Sequence, residues 1–89
     1  MVRVELFRAE GEEYESLHER MKHLGLKRTV KFDDGLDYKL PIGTYFGSSN
    51  ESIINFREKI STAADPLSSG RAAVIVCDSN NWSGYLFKA

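Results

Sequence analysis

Hydrophobic and polar residues alternate most cleanly between Leu26 and Ile42 (LKRTVKFDDGLDYKLPI), where two strand-like arms flank Asp33-Asp34-Gly35. Asp-Gly between alternating runs is turn chemistry, because Gly takes the positive φ of a tight hairpin turn at no steric cost. The segment therefore predicts a β-hairpin. Leu26, Val30 and Phe32 share one face of the first arm, with Lys27, Thr29 and Lys31 on the other; Leu36, Tyr38, Leu40 and Ile42 form the apolar face of the second. Arg28 breaks the pattern. A charge on the apolar side is costly unless paired or wetted, so Arg28 is expected at a sheet end or against a carboxylate.

On either side of this hairpin the period changes. Val2, Val4 and Leu6 alternate with Arg3, Glu5 and Phe7 and predict a first strand, and Ala9 to Gly11 turns the chain. From Glu12 to Leu24, apolar Tyr14, Leu17, Met21 and Leu24 recur at helical spacing, acids load the start, bases load the end, and Gly25 stands at the expected left-handed cap. Pro41 to Ser49, with Gly43 and Gly47 around Thr44-Tyr45-Phe46, reads as an irregular strand end and then a loop. Ser48 and Glu51 fit a capping box ahead of a second helix with the stripe Ile53, Phe56, Ile60 and Ala63 or Ala64, closed by Pro66 and Gly70. Arg71 to Asp78 is apolar on both faces, as in a strand covered on two sides. Ser79-Asn80-Asn81 is turn chemistry, after which Trp82 to Lys88 returns as a short last strand.

Strand, helix, strand, strand, helix, strand, plus a C-terminal strand, is the order of an α+β ferredoxin-like sandwich with two helices on one face of an antiparallel sheet. The expected core is Leu6, Leu17, Met21, Val30, Tyr38, Leu40, Ile53, Phe56, Ile60, Val74 and Val76, each from a stripe or alternation that needs one buried face.

Composition changes this picture little. A chain of 89 residues is one domain with a small core, and 42% apolar with 28% charged residues argues against disorder. Cys77 is the single cysteine and Met1 leads straight into a strand, so a reducing, cytoplasmic setting is expected; no apolar run approaches a membrane span. The net charge is −1 but unevenly laid out: Glu10 to Glu19 is acidic, and Arg20, Lys22, Lys27, Arg28 and Lys31 follow with no acid until Asp33.

Candidate chemistry is sparse. His18 lies roughly 80° off its helical stripe and fits either a half-exposed boundary histidine or a general acid or base; His23 points nearly opposite the stripe. Asp33, Asp34 and Asp37 could offer magnesium one or two oxygens, but Asp-Asp-Gly is first a turn sequence. No metal and no cofactor is expected. Arg3, Phe7, Lys27, Lys31 and Lys39 would share a sheet face open to single-stranded RNA, with cations on phosphates and a ring on a base; the double aromatic motif of RNA-recognition modules is absent.

The runs VRVEL, YESLHERM, LGLKRTV, DDGLDYKLP and TYF, spanning Val2 to Phe46, resemble the GhoS-type family of small antitoxin endoribonucleases. That resemblance implies a ferredoxin-like fold akin to the small CRISPR nucleases, metal-dependent or metal-independent cleavage of messenger RNA, and a toxin–antitoxin, phage or plasmid setting. The CRISPR nucleases carry an Asp at the end of the first strand, where this chain has Phe7-Arg8-Ala9-Glu10. Cleavage would then rest on His18 moving a proton and Arg28 stabilising phosphorane charge, with the RNA 2′-hydroxyl as nucleophile. The alternative is a non-catalytic homodimeric module that binds a protein or nucleic acid.

The strand Ala72 to Cys77 is expected at a sheet edge, and a bare apolar edge invites pairing. The C-terminal strand from Trp82 to Phe87 would cover it, within the chain or as part of a homodimer that buries Trp82, Tyr85 and Phe87.

Overall fold

The computed structural model describes residues 1–78 and 83–89. It is an α+β fold: β1 (Val2–Glu5), α1 (Gly11–His23), β2 (Thr29–Lys31), β3 (Asp37–Lys39), β4 (Thr44–Tyr45), α2 (Ile53–Ala64) and β5 (Ala73–Val76). A three-stranded antiparallel sheet has the order β4-β1-β5, and β2 with β3 forms a two-stranded one. Lys27 and Phe46 join the two sheets, exchanging both backbone hydrogen bonds at 2.8 Å. Among the described residues no helix is long and apolar enough to cross a membrane.

One apolar cluster organises these elements. Val2 and Val4 from β1, Tyr45 from β4, Leu17 and Met21 from α1, and Phe56, Ile60 and Ala64 from α2 are buried together. Both helices therefore cover the same sheet face, the one that β1 alternation predicts, while Arg3 and Glu5 stay exposed on the other. The first helix starts at Gly11, slightly before the stripe suggests, and the Glu10 N–H donates to the Glu13 carboxylate. It ends as expected. Gly25 has φ +83°, and the Gly25 and Leu26 N–H groups close back on the carbonyls of Lys22 and Met21, the paired bonds of a Schellman motif.

The hairpin turn is also as expected: the Gly35 N–H donates to the Phe32 carbonyl, Gly35 has φ +80°, and the Asp34 carboxylate accepts from the Leu36 N–H and the Tyr38 hydroxyl. These two bonds hold the Asp34 carboxyl below its ordinary range, and Asp37 meets Lys31 at 3.5 Å. Among the described residues no group of three or more His, Cys, Asp or Glu side chains could hold a metal ion.

Several expectations are corrected. Thr44 and Tyr45 form a strand rather than a loop, and Tyr45 is the largest fully buried side chain, because β4 pairs with the central strand β1. The cap of α2 is Ser52, whose hydroxyl accepts from the Asn55 N–H, so the helix begins after Ser48 and Glu51. Ile53 then falls in the first turn and is exposed; Leu36 and Ile42 are exposed because no helix covers that part of the hairpin, and Tyr38 and Leu40 are only half-buried. β5 has one open face: Val74 and Val76 pack inward while Ile75 is 63% exposed. Among the described residues, the C-terminal segment 83–89 does not pair with β5. Its backbone runs along β3, with Lys88 opposite Tyr38, the Lys39 N–H donating to the Phe87 carbonyl and the Ala89 N–H to that of Asp37. Trp82 and the turn before it lie outside the described residues, while Tyr85 and Phe87 are exposed.

Candidate functional site

Between α1 and the start of the hairpin lies an open cleft of about 430 Å³, lined by Glu15, His18, Glu19, Lys22 and the segment Gly25 to Thr29. Helix periodicity builds one wall: Glu15, His18, Glu19 and Lys22 are spaced i, i+3, i+4 and i+7 and form one stripe beside the buried Leu17 and Met21. The other wall follows from the break in alternation. Arg28 sits between buried Leu26 and Val30 on the side that α1 covers, yet is itself exposed. Its side chain therefore reaches water at the cleft between two buried neighbours, the wetted solution to a charge on an apolar face.

His18 is fixed from behind. Its Nδ1 lies 2.7 Å from the Tyr45 Oη, and the rings stand at 58° with centroids 5.8 Å apart. Burial pushes the Tyr45 phenol up to about 12, so it keeps its proton throughout the neutral range. Burial and then the Arg28 charge hold His18 below its ordinary value, against a smaller pull from Glu15. That shift favours the neutral imidazole. With Nδ1 on Tyr45, Nε2 is the ring nitrogen left for the cleft. When Nδ1–H donates to the phenol oxygen, the lone pair on Nε2 is free to accept a proton.

The cleft carries Lys22, Lys27 and Arg28 against Glu15 and Glu19, three cations to two carboxylates.

Of the residues expected to bind RNA, Lys27 joins His18 and Arg28 here, and the others lie apart. Lys31 bonds Asp37 and the Gly35 carbonyl at the hairpin tip, and Lys39 stands beside the C-terminal segment. Arg3 donates to the Thr44 hydroxyl on the open face of the three-stranded sheet. Phe7 follows β1 in a turn, its N–H on the Ser68 hydroxyl, and Arg8 beside it has φ +50°. Sequence reasoning missed Tyr45, Glu15 and Glu19; Lys22 belongs to the basic run that begins at Arg20. The stripe Glu15, His18, Glu19 and Lys22 is legible in the helical period; Tyr45 carries no such signal, because its role depends on a strand pairing with β1.

Comparison with protein-family models, with curated proteins and with solved structures gives no match for this chain.

Proposed function

We propose that this protein binds single-stranded RNA at the α1–hairpin cleft and cleaves it by transesterification. The observation that carries the reading is the meeting of His18 and Arg28 in one concave site, with the histidine held by Tyr45. His18 Nε2 takes the proton of a ribose 2′-hydroxyl, the 2′-oxygen bonds to phosphorus, and the bond from phosphorus to the 5′-oxygen breaks. Arg28 faces the charge that builds on the phosphorane, and the leaving oxygen takes its proton from water, which an open cleft admits. Lys27 and Lys22 hold the neighbouring phosphates.

The ferredoxin-like arrangement belongs to the same proposal. If β3 and β4 are one strand interrupted at Pro41 to Gly43, the Lys27–Phe46 bridge places β2 beside it and the sheets merge in the order β2, β3/β4, β1, β5. This is the arrangement the GhoS-type resemblance implies.

The test is an oligoribonucleotide with and without its 2′-hydroxyls, in the presence of a chelator. Cleavage of the ribose form alone, ending in a 2′,3′-cyclic phosphate and falling about 100-fold or more in His18→Gln, supports the reading. Binding without cleavage leaves the non-catalytic module, a reading that the lack of an acid between Glu5 and Glu10 favours.

A further inference from the structure

Among the described residues, the outer side of β5 is a row of backbone donors and acceptors without partners, and the register says which residues own them. Met1 and Cys77 exchange both backbone bonds at 2.8 Å. Bonded and non-bonded pairs alternate along an antiparallel ladder, so Arg3–Ile75 and Glu5–Ala73 are bonded inward, and the N–H and C=O groups of Val74 and Val76 point away from β1. Among the described residues none of these four groups is satisfied. The devices that usually blunt an edge are missing: Ala73 to Cys77 contains no proline and no charge, its ladder to β1 is regular, and Ile75 is 63% exposed.

We propose that β5 pairs antiparallel with β5 of a second copy, about a two-fold axis through Ile75. In that register Val74 of each copy faces Val76 of the other as a bonded pair, which satisfies all four orphan groups in each chain. Ile75 then meets Ile75 as a non-bonded pair, where side chains come closest, and Ala73 faces Cys77, a small residue on either side of the large one. Charge selects both the direction and the occupant. Exposed Arg71 and Asp78 bracket the strand, so antiparallel self-pairing brings the basic end of one copy beside the acidic end of the other, whereas parallel pairing opposes like charges. The two three-stranded sheets become one continuous sheet with a shared open face, which the isologous symmetry of a two-fold dimer permits.

Sedimentation velocity on the full chain between about 5 and 300 µM tests assembly, a range that brackets the affinity of a small transient interface. A concentration-dependent dimer is expected, and Ile75→Lys, a substitution at an exposed side chain, weakens it about tenfold or more. A 10.1 kDa monomer across the whole range overturns the proposal, as does a dimer that Ile75→Lys leaves unchanged. Disulfide trapping tests the register independently of that variant. In a Cys77→Ser background, Ile75→Cys crosslinks into a dimer under mild oxidation, because non-bonded antiparallel pairs have the short Cα separation a disulfide needs. Ile42→Cys, equally exposed on the hairpin, and unsubstituted Cys77, which faces Ala73, do not. Crosslinking of Ile42→Cys at the same rate as Ile75→Cys overturns the register.

Discussion

His18 and Tyr45 meet through a 2.7 Å contact between Nδ1 and Oη, which ties the cleft wall on α1 to the most deeply buried ring in the sheet. Tyr45→Phe removes that oxygen and little volume. The half-exposed His18 can turn to water instead, so the loss of stability is about 1 kcal/mol, the net worth of one hydrogen bond. RNA cleavage should fall further than stability does, since the ring loses the partner that holds its orientation in the cleft wall. Urea titration and single-turnover cleavage, run side by side, separate the two effects.

Stability should also depend on pH through His18. Burial and the Arg28 charge hold the folded His18 below its ordinary 6.5. The unfolded chain therefore binds more protons than the folded one in the window just below that value, so stability falls as pH drops through the window and levels off beneath the folded pKa. Urea midpoints at about pH 7.5 and about pH 5 should differ more for the natural chain than for His18→Gln. Equal differences would mean that His18 is not perturbed. The acid limb of any cleavage profile should likewise fall below 6.5.

Gly43 and Gly35 both hold positive φ, +83° and +80°, but an added Cβ at Gly43 would stand 2.3 Å from the Val4 carbonyl oxygen, whereas at Gly35 it meets open space. Gly35→Ala should cost about 1–2 kcal/mol for the backbone conformation alone. Gly43→Ala should cost on the order of 2–4 kcal/mol, because the bond from the Val4 N–H to the Gly43 carbonyl must also give way. Thermal melts of the pair measure the difference.

Ile53 and Ile60 lie on the same sequence stripe, yet Ile60 is fully buried and Ile53 is 44% exposed. Ile60→Ala should cost about 2–5 kcal/mol and Ile53→Ala about 0.5 kcal/mol or less. Chemical denaturation that gives comparable losses would place Ile53 in a buried setting.

Lys27 lines the cleft, while Lys31 is engaged by Asp37 at 3.5 Å. Lys27→Glu should weaken RNA binding more than Lys31→Glu at about 50 mM salt, and the gap should close near about 0.5 M as phosphate contacts lose their counterion-release advantage. Equal effects at low salt would point to a diffuse field rather than a cleft contact.

Local chemistry determined the elements whose signals are short-range. The Gly25 cap, the Asp34-Gly35 turn, the first helix and the inward side of β1 each depend on residues within a turn of one another, and all are legible in the chain. Tertiary structure decided whatever depends on which surface lies opposite. Pairing with β1 turned Thr44-Tyr45 from an apparent loop into buried strand, and the absence of a covering layer left Leu36, Ile42, Ile53 and Ile75 exposed although their spacing matches that of core residues. Periodicity marks which side of an element is apolar, not whether another element reaches it. The same limit governs the site. The sequence singles out His18 as a half-exposed histidine and Arg28 as a charge on the wrong face, but packing α1 against the hairpin brings the two into one cleft and sets Tyr45 behind the imidazole.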